Sequence, residues 1–258
     1  MIGFMANNIL PAHMGEIVRA YLLGEKERIS KISTFMTVVI ERLFDFIILT
    51  LFLILTFIYI SVPNWLKYGG LVIGISSLVL ILLIFILINN KNKDKIISRL
   101  LNILPEKIGE KLGGKVNSFF AGIEILKEKN LILKVLITSC LLWVQIGLTL
   151  LLVLIGFGFN TNLVLTSIFL MVLIAFSITI PSTPGYFGNM QLAFVIGLGL
   201  VNISKSDALA SSLIFHFTQY IPITFVGILL FIKEGISFRS ILDKAQDANI
   251  RREKNPDQ

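Results

Sequence analysis

Three short stretches hold residues that an apolar chain does not need in order to fold. The first is Asn7-Asn8-Ile9-Leu10-Pro11-Ala12-His13-Met14-Gly15-Glu16-Ile17-Val18-Arg19. Apolar sequence leads into a proline and a glycine, then an acid and a base three residues apart. On a helix Glu16 and Arg19 share a face and can pair. Proline and glycine together suggest a backbone break at membrane depth, which is tolerated only inside protein or along a wet cavity. The plainer reading is an interfacial loop entering an ordinary capped helix. The second stretch, Glu41-Arg42-Leu43-Phe44-Asp45, stands inside an apolar run. If hydrocarbon begins near Phe35, Asp45 lies about 15 Å deep at a rise of 1.5 Å per residue. Each such charge costs at least roughly 3 kcal/mol near the bilayer centre. Glu41, Arg42 and Asp45 must therefore pair or line a polar cavity, as a pathway or as an ion-pair brace between helices.

The third stretch is Pro181-Ser182-Thr183-Pro184-Gly185-Tyr186-Phe187-Gly188-Asn189-Met190-Gln191. Its prolines and glycines interrupt a helical hairpin, and Pro184-Gly185 is a turn signal. Free amides from Gly185 to Asn189 would open the following short helix and suit a phosphate. A tight turn at the membrane surface is the alternative. His216, Gln219 and Tyr220 share one face of the last apolar segment, where a lone histidine reads by default as a satisfied core residue. No nucleophile elbow, nucleotide loop or zinc spacing occurs, so neither a cofactor nor a metal is expected.

The elements that position these stretches are set by lipid. Of 258 residues, 55% are hydrophobic and 15% charged, and the mean hydropathy is +0.85. A soluble domain would be near a quarter charged. Six apolar runs appear: Phe35–Ile60, Tyr68–Ile88, Leu131–Gly156, Leu163–Ile180, Phe187–Val201 and Ala208–Ile232. All but the fifth meet the length expected of a spanning helix; the fifth reads as re-entrant or broken. Met1–Leu10 is too short to span and lacks a basic start, so no signal peptide is expected. The fold class expected is an all-α integral membrane protein of about six transmembrane helices, with re-entrant segments and an amphipathic cytoplasmic helix.

Charge orients the runs. The net charge of +7 belongs to cytoplasmic loops and is no evidence for nucleic acid. Lys26, Arg28 and Lys31 precede the first run; Lys91 to Lys129 follow the second; Lys233 to Lys254 follow the last. The remaining connections are nearly bare. Positive loops lie inside, which puts the 89–130 loop and the C-terminus in the cytoplasm and the protein in the cytoplasmic membrane. Ile108, Leu112, Val116, Phe119 and Ile123 recur at helical spacing, so this loop holds a helix lying on the inner leaflet or on the protein's own face. Gly70-xxx-Gly74 matches a helix-packing pattern. Cys140 is alone, which excludes an internal disulfide. The chain thus divides into a first motif (1–34), two helices (35–88), a basic loop (89–130), four helices interrupted at 181–188 (131–232) and a basic cytoplasmic tail (233–258).

The three stretches, in this order, resemble the lysylphosphatidylglycerol synthase transmembrane family, also called the flippase-like domain family. Its pattern resembles N-x-x-L-P-x-R-x-G-E-x-x-R, then E-R-x-x-D, then P-x-x-P-G-G-x-G-x-x-E. The matches are Asn8, Pro11, Gly15, Glu16 and Arg19; Glu41, Arg42 and Asp45; and Pro181, Pro184, Gly185 and Gly188. His13 stands where the family usually has arginine, Tyr186 where it has glycine, and Gln191 where it has glutamate. Members usually begin with two further membrane helices, so the resemblance implies an N-terminal truncation or a mis-assigned start. It implies binding or translocation of a phospholipid or polyprenyl-phosphate-linked lipid, without aminoacylation, since nothing after Ile232 could fold as a transferase domain. Arg19 and Arg42 would meet phosphate. Glu16, Glu41 and Asp45 would pair them or meet a cationic headgroup, with His13 and Gln191 at the same pathway. A subunit or transferase acting on lipid-linked substrates stays open, as do a non-transporting scaffold and a homo-oligomeric or membrane partner. A tag after Gln258 and a probe near Lys111 should both resist external labelling of intact cells, whereas a probe near Asn160 should label. External labelling at Lys111 would overturn this orientation.

Overall fold

The computed structural model describes residues 1–11, 13–57, 59–90, 114, 116, 118–180 and 183–234. The helices that position the site are, in order, α1 (Ile2–Ile9), α2 (Met14–Lys26), α3 (Lys31–Thr56), α4 (Asn64–Asn89), α5 (Lys129–Phe157), α6 (Leu163–Thr179), α7 (Asn189–Gly199) and α8 (Lys205–Lys233). No strand occurs among the described residues. The helices α3, α4, α5 and α8 hold 26, 26, 29 and 29 residues. At about 1.5 Å per residue each exceeds the roughly 30 Å of bilayer hydrocarbon. By length and composition α4, α5 and α8 can cross a membrane; α3 has the length but carries Glu41, Arg42 and Asp45. Their outer faces leave Val72, Leu83, Leu152 and Ile232 exposed, which suits lipid and would be an aggregation surface in water. This is a multi-pass, all-α membrane protein.

The two remaining apolar helices are short. With 17 residues in α6 and 11 in α7, they reach only about 26 and 17 Å. They pack against each other as a hairpin, with the short 3-10 turn Pro184–Tyr186 between them. A second hairpin forms from α1 and α2. Its helices run antiparallel and touch closely: a Cβ on Gly3 would lie 3.0 Å from the Arg19 Cβ, and one on Gly15 would overlap the Gly3 carbonyl oxygen.

Contacts along α8 set the depth of both hairpins. Met5 of α1 lies against Gly227, Asn8 bonds Thr224 and Tyr220, and Gly185 bonds His216. From Lys233 back to His216 is 17 positions along α8, or about 25 Å of rise. The tips therefore meet inside the bundle rather than at either end. One end of the bundle gathers Lys26, Lys31, Lys129 and Lys233 at helix termini. The α1–α2 hairpin lies towards that end, and the α6–α7 hairpin approaches from the other.

Two apolar cores hold the scaffold. Around α6, Leu49, Leu53, Leu150, Leu154, Phe169, Phe194 and Phe215 are buried together. Near the lysine-rich end, Met36, Ile40, Phe44, Ile81, Ile88, Ile123 and Leu126 form the second. Gly70 and Gly74 mark the α3–α4 seam, where an added Cβ would strike Leu53 and Thr50. Of the amphipathic pattern in the basic loop, Ile108 and Leu112 lie outside the described residues. Phe119 and Ile123 pack on the second core, so this part of the loop covers the protein's own face.

Gly15→Ala should lower thermal stability in detergent by roughly 1–3 kcal/mol, because its Cβ meets backbone that cannot yield. Gly69, with open space around its Cβ position, should tolerate alanine without loss. Equal melting of the two variants would show that the α1–α2 contact is not tight.

Candidate functional site

The charged residues of the first two stretches come together across α2 and α3. Arg19 donates from Nη1 and Nη2 to the two oxygens of Glu41, at 3.2 and 3.0 Å. Arg42 donates from Nε to Glu16 at 2.8 Å and from Nη1 to Asp45 at 3.0 Å. Trp143 of α5 donates its indole N–H to the other Asp45 oxygen at 3.1 Å. Glu16 and Arg19 thus do not pair with each other, as their spacing on one helix allowed; each reaches a partner on α3. Asp45 is the most buried, at 9% side-chain exposure, against 33% for Arg42 and 43% for Arg19. The Arg19–Glu41 pair, being wetter, contributes little to stability, while Asp45 depends on its partners.

Backbone breaks at the two tips are satisfied by side chains. Asn7 Oδ1 accepts from the Gly15 N–H at 2.7 Å, which closes the first hairpin. Asn8 donates to Thr224 Oγ1 at 2.8 Å, which pins it to α8. In the second hairpin Asn189 donates to the Ser177 and Ile180 carbonyls at 2.9 and 3.1 Å. His216 meets the Gly185 carbonyl through Nε2 at 2.8 Å and Gln191 Nε2 through Nδ1 at 3.0 Å. Gln191 Oε1 in turn accepts from the Gly188 N–H at 2.8 Å. One amide that sequence reasoning reserved for phosphate is therefore capped, and Gln191 serves the loop rather than open space.

Both tips store backbone strain. Gly185 and Gly188 have φ of 68° and 91°, and the non-glycine residues Tyr186 and His13 have φ of 62° and 57°. A side chain in this left-handed region costs about 1–2 kcal/mol. Tyr186 and His13 face each other across the junction, with ring centroids 5.4 Å apart and Tyr186 Oη 3.4 Å from His13 Nδ1.

Two cavities flank this network. One of about 770 Å³ reaches the lysine-rich end and is lined by Glu16, Arg19, Lys26, Glu41, Arg42 and Glu234, among others. Lys26 and Glu234 pair at its edge at 2.8 Å; this contact draws the Lys26 ammonium above and the Glu234 carboxyl below their ordinary pKa ranges. An inner cavity of about 410 Å³ lies between the tips and is lined by His13, Asp45, Trp143, Gly185, Tyr186 and His216, among others. Phe4, Asn7, Glu16 and Arg42 line both, so the Glu16–Arg42 pair stands in their common wall.

Of the residues singled out from sequence, Asn8, His13, Glu16, Arg42, Asp45 and Gly185 line the inner cavity, and Arg19 and Glu41 the outer one. Pro11 and Pro184 are exposed at the two breaks. Gly188 and Gln191 lie behind the second tip. Pro181 lies outside the described residues. Sequence reasoning missed Trp143 and Thr224, and it named Asn7 and Asn189 within the polar stretches without their part in closing the hairpins. Trp143 alone carried a signal, as a tryptophan with a polar N–H deep in an apolar run. Among the described residues no cluster of three His, Cys, Asp or Glu is placed to hold a metal.

Fold and site define a helical membrane protein whose two re-entrant hairpins enclose a charged, partly buried cavity. The chain belongs to the lysylphosphatidylglycerol synthase TM region family, which matches residues 1–227. It is 27% identical over 233 residues to a UPF0104 membrane protein of Methanocaldococcus jannaschii, covering 87% of this chain and 92% of that one. A UPF0104 membrane protein of Methanothermobacter thermautotrophicus is 26% identical, over 88% of this chain and 72% of its own. A second Methanocaldococcus jannaschii relative is 27% identical, over 92% and 74%. No solved structure matches.

Because Arg42 keeps Glu16 when Asp45 is lost, Asp45→Asn should cost about 1.5–3 kcal/mol in detergent melting, the range for a hydrogen bond to a charged group. Glu16→Gln combined with Asp45→Asn should cost more than the sum of the single changes, since it strands the guanidinium. Additive losses would show that the two carboxylates do not share Arg42.

Proposed function

We propose that this protein binds the phosphate-bearing headgroup of a membrane lipid at Arg42 and passes it between the leaflets, with the acyl or prenyl chains remaining in the bilayer. The observation that carries this reading is the position of Arg42 in the wall common to the two cavities. Its Nε and Nη1 are engaged by carboxylates, while Nη2 makes no hydrogen bond among the described residues. An incoming oxyanion can take that donor first and then displace Glu16, since charge-assisted bonds to guanidinium are exchanged at similar energy.

The sign of the site fits exchange better than permanent capture. Among the described residues Glu16, Glu41 and Asp45 form their ion pairs with Arg19 and Arg42, three carboxylates to two guanidiniums, so a bound phosphate adds negative charge and must leave again. By the positive-inside rule the lysine-rich end, and with it the outer cavity, faces the cytoplasm. A headgroup entering there would meet Arg19, then Arg42, then the inner cavity closed by the two tips. Separation of the tips would complete the passage. The family's name, which refers to a phosphoglyceride, supports a phosphate-bearing headgroup. Movement down a lipid gradient needs nothing further.

In proteoliposomes holding fluorescent phosphatidylglycerol or a polyprenyl-phosphate probe, the full chain should speed leaflet exchange of at least one of them. Arg42→Gln should slow that exchange at least tenfold, and should melt below Asp45→Asn because it leaves both Glu16 and Asp45 without their guanidinium. Exchange at the rate of empty vesicles for both probes would defeat the proposal.

A further inference from the structure

We propose that Asp45 is a proton site of the inner cavity, taking up a proton with each lipid phosphate that passes Arg42 and releasing it when the phosphate leaves. This goes beyond the lipid-site reading and rests on it. Asp45 lines the inner cavity alone, Arg19 and Glu41 the outer one alone, and Arg42 and Glu16 line both. A headgroup that has passed Arg42 therefore leaves the Arg19–Glu41 pair behind. Among the described lining residues of the inner cavity, the guanidinium of Arg42 stands against the carboxylates of Glu16 and Asp45. A phosphodiester brings a further negative charge into this space. In a poorly solvated site an uncompensated charge is neutralised by a proton rather than kept.

Without lipid the geometry is that of a carboxylate. Asp45 Oδ2 accepts from Arg42 Nη1 at 3.0 Å and Oδ1 from the Trp143 indole N–H at 3.1 Å. Both partners are donors only, so a proton on Oδ2 would meet another donor. A phosphate changes this at one oxygen. On the Asp45 side of the guanidinium it takes Nη2 and Nη1 together as a fork, and Oδ2 loses Nη1. Two anionic oxygens then face each other. A proton taken from water forms an O–H bond at Oδ2, and this O–H donates to a phosphate oxygen. The charge of the site returns to its lipid-free value. Trp143 still donates to Oδ1, now the carbonyl oxygen of an acid, so the side chain keeps its aim. When the phosphate leaves, Oδ2 gives the proton back to water and returns to Arg42.

The other titratable groups around this space are less suited. On α8, His216 is committed as a neutral ring. Gln191 Oε1 accepts from the Gly188 N–H, so its amide nitrogen donates to Nδ1, and Nε2 is left to donate to the Gly185 carbonyl. A second proton on this ring would break the Gln191 contact. At the first tip, His13 meets Tyr186 at Nδ1, and its Nε2 is buried without a partner, so a second proton there would be an unpaired buried charge. The phenols of Tyr186 and Tyr220 gain no proton near neutral pH. On α2, Glu16 has a side-chain exposure of 24% against 9% for Asp45, so water can hold its charge when Arg42 lets go. On α3, Glu41 keeps Arg19 in the outer cavity. The carboxylate with least water is the one that takes the proton.

The first test is lipid affinity against pH for the purified full chain in detergent. The probe is phosphatidylglycerol, whose phosphodiester does not itself titrate near neutral pH. A proton taken up on binding makes binding tighter as pH falls. The dissociation constant should rise with pH by up to about tenfold per unit, over the range where Asp45 is a carboxylate without lipid and an acid with it. Phosphatidylcholine, which brings no net charge, should show no such slope. The slope should vanish in Asp45→Asn and persist in Glu16→Gln. Binding of phosphatidylglycerol without a slope overturns the inference, as does a slope that survives Asp45→Asn. A slope lost in both variants assigns the proton to the carboxylate pair and overturns the placement on Asp45. No binding at any pH overturns the lipid-site reading itself. The second test needs no variant. Proteoliposomes of the full chain are given a pH gradient, with valinomycin and potassium holding the membrane potential at zero. Fluorescent phosphatidylglycerol should gather in the leaflet on the alkaline side, within a time in which empty vesicles show no change, and fluorescent phosphatidylcholine should not. Accelerated exchange that leaves phosphatidylglycerol evenly distributed overturns the inference, whereas no acceleration overturns the translocation reading on which it rests.

Discussion

The controlling constraint is that a backbone interrupted inside hydrocarbon has no water to satisfy it. Each hairpin turns short of the far surface, and each turn frees amides and carbonyls that would cost several kcal/mol if left bare. The chain answers with amides and imidazole. Asn7 takes the Gly15 N–H, Asn189 takes the carbonyls at the end of α6, and His216 with Gln191 ties the second loop to α8. Once the turns are sealed in this way, the space between them can stay polar without unravelling the bundle.

The same constraint shapes the electrostatics. Charges on α3 cannot face lipid, so α2 is brought alongside and the pairs form between helices of different hairpins and spans. Arg19–Glu41 and Arg42–Glu16 couple the broken first hairpin to the full-length α3, and Trp143 couples α3 to α5. Stability itself resides in the two apolar cores on either side. The partly exposed pairs between them are weak enough to exchange partners.

Left-handed backbone at non-glycine residues occurs where the tips meet, and also in the connections at Arg28 and Asn202. His13 and Tyr186 hold left-handed backbone against each other, each packed by the other's ring. The Gly185 segment is lodged beside this contact, against Asn8 and Tyr220.

Composition, the six apolar runs and the three polar stretches determine by themselves that this is an all-α membrane protein of this family, for a bilayer demands length and low polarity over contiguous residues. The break at 181–188 and the shortness of the fifth run were legible for the same reason, since proline and glycine act locally. The Arg42–Asp45 pair was legible from helical spacing. Partner choice between helices was not. Spacing allowed Glu16 to pair with Arg19, yet α3 offers each of them an oppositely charged residue at better geometry. Only tertiary packing brings residue 8 to residue 224, residue 13 to residue 186 and residue 45 to residue 143. Those contacts arise from the crossing and depth of hairpins whose packing depends on close approaches such as Gly3 on Gly15. A local pattern carries no measure of how far apart two helices stand, and the cavity between them is made of that distance.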